Sequence, residues 1–231
     1  MEPTPRPGEA DWEARVTAWR DRVARVGVER SIYHLRHKRA ADFQAITRVQ
    51  RAAIWPHAVA AVGDRRGVAL DVGCGYGRWT PDLAALVGEA IGVDPTPELI
   101  AQATATRPAA FGARVRYALM VHGRIPVPDR SVDVLWVCMV LSTVLADDMF
   151  AATLEELRRV VREEAVIVLT DNTSRADGRP IHGKYSRSRT VEAYVTAFAP
   201  WATIQPVGQY VDVGEVNTVF TGVVRPDGRA H

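Results

Sequence analysis

The chain has 231 residues, of which 47% are hydrophobic and 24% charged, with a formal net charge of +2. That is the composition of a globular protein long enough for one full core. So small a net charge argues against a dedicated nucleic-acid binder. No apolar run approaches the roughly 20 residues needed to span a bilayer, so neither nucleic acid nor membrane is an expected partner. Two cysteines, Cys74 and Cys138, make no disulfide framework, and a reducing cytoplasm is the expected compartment.

Residues 1–8 carry Pro3, Pro5 and Pro7 without an apolar stretch, so they read as a disordered tail and not as a signal peptide. From Glu9 to Val26 the residues Trp12, Val16, Trp19, Val23 and Val26 recur at helical steps, and Gly27 ends the run. A second helix is expected over about Lys38–Val62, with a break or bend near Pro56 and Gly63 closing it, and His57 in a structural place. Residues 9–63 are therefore expected to form an N-terminal helical cap on an α/β domain over 64–231. The linker Arg30–Arg39 between the two helices is dense in polar groups, including His34 and His37.

The next stretch, GVALDVGCGYGRWT from Gly67, organises the chain. A short apolar run, Val68–Leu70, is followed by Asp71, Gly73, Gly75 and Gly77. This is the pattern of a buried strand turning sharply into a helix start, where glycines admit a close ligand and unpaired N–H groups face it. A dinucleotide fingerprint would place its third glycine where Arg78 stands, and Asp71 would repel a pyrophosphate. An acid there suits an ammonium or sulfonium cofactor. The stretch resembles motif I of the class I S-adenosylmethionine-dependent methyltransferases, acid-x-Gly-x-Gly-x-Gly after the first strand.

Further elements follow in that family's order. Thr80–Val87 reads as a helix, and Ala90–Asp94 as a second strand ending in an acid suited to both ribose hydroxyls. Asp94, Thr96, Leu99 and Ile100 resemble the family's G-hydrophobic-D-x-S-x-x-hydrophobic-hydrophobic segment, with Thr96 as the next helix's cap. A third strand is expected over Arg114–Met120. The family's adenine-binding acid is missing after it, which leaves Val121 and His122 as the expected contact. Ile125–Asp129 resembles the family's L-P-F-x-D, and Asp133–Val137 its fourth strand, followed by Cys138, Met139 and Val140. Thr143 stands where many relatives carry a histidine. Ala151–Arg162 is an amphipathic helix, Glu163–Ala165 a turn and Val166–Thr170 a fifth strand, with Asp171, Asn172 and Thr173 at its end. Residues 174–188 read as a lid-like loop, Val191–Phe198 as a helix, and Ala202–Val211 with Val216–Val224 as a closing antiparallel pair.

The resemblance implies a three-layer, doubly wound α/β fold with a seven-stranded, mostly parallel sheet and an antiparallel last strand. It implies S-adenosyl-L-methionine as methyl donor and S-adenosyl-L-homocysteine as product. The expected cofactor contacts are Asp71, Gly73, Cys74, Gly75, Gly77, Asp94, Pro95, Val121, His122 and Cys138. Asp171–Thr173 also resembles the Asp-Asn-Thr of metal-dependent O-methyltransferases. That chemistry needs another acid after the fourth strand, where Cys138–Val140 stand, so no divalent metal is expected. Methyl transfer from a sulfonium needs alignment and, at oxygen or nitrogen, sometimes a base. The candidate bases are His34, His37, Asp171 and His182, with Lys184 and Tyr185 beside the last. Arg30, Arg36, Lys38 and Arg39 before the strands and Arg175, Arg179, Lys184, Arg187 and Arg189 near the lid are read either as favouring an anionic acceptor or as a solvated basic surface. The expectation is methylation of a small molecule, foremost at a hydroxyl oxygen. N- or C-methylation, a cofactor-binding relative that does not methylate, and a homodimer stay open.

Overall fold

The computed structural model describes residues 9–226, and the expected tail over 1–8 lies outside them. Three helices come first: α1 (Glu9–Val26), the single turn α2 (Val28–Ser31) and α3 (Ala40–Val62). They are followed by β1 (Gly67–Val72), α4 (Thr80–Val87), β2 (Gly88–Asp94), α5 (Pro97–Ala105), β3 (Val115–Leu119) and β4 (Val132–Cys138). The chain continues with α6 (Asp147–Val160), β5 (Val161–Arg175), α7 (Val191–Phe198), β6 (Ala202–Asp212) and β7 (Glu215–Val224). The strands form one sheet of seven in the order β3-β2-β1-β4-β5-β7-β6. Only β7 is antiparallel to its neighbours β5 and β6, so the antiparallel last strand is as expected.

Both faces of the sheet are covered, and the strands accordingly read as nearly continuous apolar runs. Alternation within them sorts the core into two layers. Val134 and Trp136 of β4, with Val166 and Val168 of β5, pack with Ile54, Ala58, Trp79 and Leu83 from α3 and the α4 region. Leu135 and Val137, with Ile167 and Leu169, pack with Leu157, Tyr194 and Phe198 from α6 and α7. Trp79 bridges the rings of Trp55 and Trp136, with centroids 6.4 and 5.3 Å away.

Packing divides the expected N-terminal cap. Helix α3 buries Phe43, Ile46, Ile54, Ala58 and Val62 against the sheet layer, because its apolar face matches that surface. Over the site lie α1 and residues Ile32–Leu35 of the linker, with Ile46 and Gln50 of α3 also reaching the cavity. Helix α3 is continuous through Pro56, so no break interrupts it there. His57 abuts Gly208 of β6, where a side chain would meet its Nε2 at 2.9 Å.

Two boundaries also move. Helix α6 passes directly into β5, Glu164 taking the turn at φ 61°. At its other end β5 does not stop at Thr170, because Asp171, Asn172, Ser174 and Arg175 pair with Thr218, Asn217, Val216 and Glu215 of β7. The lid-like loop therefore begins after Arg175. No helix among the described residues is long and apolar enough to cross a membrane.

Candidate active site

Strand order reverses between β1 and β4, and in an open α/β sheet that is where a crevice opens at the strands' C-terminal ends. Here the crevice is a cavity of about 430 Å³, within the usual size range of ligand sites. The glycine loop after β1 forms its floor. Gly73, Gly75 and Gly77 have φ of 64, 57 and 85°, a region that favours glycine. A side chain on Gly73 would meet Val140 at 2.5 Å, and one on Gly75 would meet Ile32 of the cap at 3.0 Å. Gly77 has a different duty. Any side chain there would collide with the Tyr117 hydroxyl of β3, so this glycine seats the loop on the sheet and does not line the cavity.

Two carboxylates face the cavity at this end. Asp71 accepts the Thr80 hydroxyl at 2.6 Å, and burial pushes its pKa up to about 7 against the opposing pull of that bond and of Arg78. Asp94 accepts the N–H of Gly75 at 3.1 Å and of Thr96 at 2.8 Å, and burial pushes it up to about 6. These bonds tie the glycine loop to the start of α5. Thr96 occupies the cap position of α5, but its side chain makes no capping bond; the Asp94 carboxylate takes its N–H instead. Each Asp94 oxygen retains lone-pair capacity for an incoming hydroxyl. Cys74, Pro95 and Cys138 complete this wall, and both cysteines are free thiols.

The opposite end is built by the cap, the lid-like loop and the β6–β7 hairpin. His34 lines it, with Nδ1 accepting the Arg36 N–H at 3.1 Å and Nε2 facing Glu215 Oε1 at 3.7 Å. Burial holds the His34 pKa below its ordinary value and the Glu215 pKa above. His182 of the lid-like loop also lines the cavity. Roof and floor are joined through Arg78, which donates to Gln50 Oε1 at 2.6 Å and lies over the Tyr33 ring.

Several expected residues stand elsewhere. Asp171 is fully buried behind the wall, where its oxygens accept the N–H groups of Ser142 and Asn172 at 3.0 and 2.9 Å. The extension of β5 carried it inside, which removes it as a base open to the cavity. His37 is outside the lining and binds Asp212, with Nε2 2.9 Å from Oδ1. Val121 is 53% exposed, and His122 faces Glu13 of α1 at 3.8 Å; neither lines the cavity, which is reached instead by their neighbour Met120. Among the described residues no group of three His, Cys, Asp or Glu is placed to hold a metal ion.

The roof itself rests on residues outside the expected set. Arg15 donates to the main-chain oxygens of Lys184 and Tyr185 at 3.1 and 2.6 Å, fastening α1 to the lid-like loop. Arg22 donates to Tyr33 O and lies 4.7 and 4.8 Å from the ring centres of Trp19 and Tyr185. The signal was present in the sequence: Trp12, Arg15, Trp19 and Arg22 follow three- and four-residue steps, so both arginines share the apolar face.

Residues 70–169 match the family described as Methyltransferase domain, which covers β1 through most of β5. Among solved structures, the DhpI–SAH complex superposes with a TM-score of 0.63 at 20% identity, covering 94% of this chain and 98% of that one. Phosphoethanolamine N-methyltransferase 1 of Haemonchus contortus, in complex with phosphoethanolamine and S-adenosylhomocysteine, gives 0.72 at 16% identity. That match covers 98% of this chain and 52% of the longer one. The [4+2]-cyclase SpnF gives 0.61 at 16% identity over 81% and 83% of the two chains. No curated protein matches the chain by sequence.

Proposed function

We propose that this chain, which has the class I S-adenosylmethionine-dependent methyltransferase fold and a methyltransferase domain over residues 70–169, methylates a hydroxyl oxygen of a small anionic molecule. The observation that carries the reading is one roofed cavity joining the acid-and-glycine loop to a histidine-bearing end. The loop fits the cofactor: Asp94 has lone pairs for a ribose diol, and Gly73 and Gly75 line the same cavity. S-adenosylmethionine supplies a methyl group on a sulfonium, already activated for displacement.

What the protein adds is alignment and proton handling. Asp71, Asp94, Gly73, Cys74, Gly75, Pro95 and Cys138 hold the donor. His34 and His182 line the acceptor end, and His182 is the candidate histidine base. The Arg36 N–H occupies the Nδ1 lone pair of His34 and leaves its proton on Nε2, facing Glu215, so His34 positions that carboxylate and a proton leaving the acceptor passes to Glu215 or to His182. His37 acts one step back, holding Asp212 at the rim. A cap fastened over the cavity favours a small acceptor over a macromolecule.

Calorimetry with S-adenosylmethionine and S-adenosylhomocysteine is the first test, and binding of neither sinks the reading. Mass spectrometry of reaction products follows. A gain of one methyl group supports methylation, whereas cofactor binding with unmethylated product favours the second reading, a non-methylating relative on the same fold. The likeness in fold to a [4+2]-cyclase favours keeping that reading.

A further inference from the structure

The arginines singled out by sequence near the site are mostly satisfied by the protein itself. Arg179 pairs with Asp177, Arg187 with Asp147, and Arg39 with Asp42. Arg36 donates to Val213 O, and Arg189 to the carbonyls of Leu141 and Val144. Arg15 and Arg22 differ. They are 9% and 5% exposed, line the cavity, and have no carboxylate partner among the described residues.

A buried cation without a counter-ion is costly, and here two lie against the same Tyr185 ring, at 5.7 and 4.8 Å. Their charges repel: burial, followed by neighbouring arginines, lowers the Arg22 pKa to about 10. Arg15 spends two N–H groups on carbonyls and Arg22 one, so most of both forks remain uncommitted, including an Nε on each that is buried without a partner. The acids that line the same end do not compensate them, since Asp212 faces His37 and Glu215 faces His34. The arrangement lacks one component, an anion. Every group that positions the pair (Trp19, Tyr33, Lys184, Tyr185) belongs to the cap or the lid-like loop, none to the glycine loop that faces Asp94.

We propose that Arg15 and Arg22 form the binding site for an oxyanion, carboxylate or phosphate, carried by the methyl acceptor. The assignment to the acceptor rests on the function proposed above. Two forks presented side by side suit the planar, multidentate recognition at which guanidinium excels. An acceptor anchored there reaches toward the sulfonium with its anionic end held under the roof. Because the same residues fasten cap to loop, the acceptor's charge would also tighten the closure that excludes water.

The test compares wild type, Arg15→Met, Arg22→Met and Arg22→Lys by thermal shift and calorimetry. The probes are inorganic phosphate, with and without S-adenosylhomocysteine, and separately S-adenosylhomocysteine and 5′-methylthioadenosine, which lacks the amino-acid group. Phosphate is expected to stabilise the wild type, with affinity falling roughly tenfold or more in each Met variant and partly restored in Arg22→Lys. Affinities for the two nucleosides are expected to stay within about twofold, well under the tenfold that 1.4 kcal/mol represents. An absent phosphate response in wild type, or one the variants retain, overturns the proposal. So does a loss confined to S-adenosylhomocysteine, which would place the cofactor's own carboxylate at the pair. Failure of wild type to bind either nucleoside instead removes the methyltransferase reading, and the phosphate titration of free protein still decides the arginine site. Should Arg22→Met not fold, Arg15→Met carries the same readout.

Discussion

Lowering the pH should weaken cofactor binding while it stabilises the free protein. Burial pushes the Asp94 pKa up to about 6, and hydroxyl donors of a ribose need the ionised carboxylate. At pH 5 roughly one molecule in eleven has Asp94 ionised and at pH 8 nearly all do, so affinity for S-adenosylhomocysteine should fall about tenfold across that range. Asp71, pushed up to about 7, adds a steeper component if its charge also contributes. For folding the sign reverses. An acid whose folded pKa exceeds its unfolded value of 3.8 binds its proton more tightly in the native state. These two groups therefore add stability as pH falls from about 7 toward 4, and that increment is lost as pH rises through the folded pKa values. The assay is calorimetry from pH 5 to 8 in buffers of different ionisation heat, with Asp94→Asn and Asp71→Asn as controls, alongside thermal midpoints of the free protein. Affinity independent of pH, or a slope that survives in both controls, would refute the assignment of the carboxylates.

Three other outcomes are expected. Gly77→Ala places a methyl group on the Tyr117 hydroxyl at φ 85° and should cost about 1–3 kcal/mol, read from denaturant midpoints; an unchanged midpoint would mean the loop shifts freely. Asp171→Asn keeps the size but weakens the acceptor for Ser142 and Asn172; it should lower the thermal midpoint and leave the shape of the kcat–pH profile intact, whereas a lost acidic limb would restore Asp171 as a base. Treatment with EDTA should leave full activity, because Cys138, Met139 and Val140 offer no hard oxygen side chain after β4; loss of activity restored by Mg²⁺ would bring back the metal-dependent reading.

The sequence was most informative where a local rule leaves one solution. Alternate glycines after a short apolar run can only turn a strand into a helix start, and Asp94 closes the next strand, so the floor of the site was legible before folding. Binary patterning likewise located the strands and most helices. Boundaries were less legible where tertiary pairing extended an element. β5 runs on to Arg175 because β7 offers partners for Asp171 and Asn172, and nothing local marks that choice. The same extension decided that Asp171 is buried and not at the rim.

What the sequence by itself determined is the scaffold and the glycine-loop floor of the cavity, since both follow from short-range spacing of apolar residues, acids and glycines. Tertiary structure alone decided which remote side chains meet over that floor. Trp12, Arg15, Trp19 and Arg22 read locally as one face of an amphipathic helix. Only its docking on Lys184 and Tyr185, some 170 residues further along the chain, turned that face into a roof. The two arginines became a buried charge pair because the contact removed their water without supplying a carboxylate. Long-range burial sets the energy of a charge, and spacing along the chain does not record it.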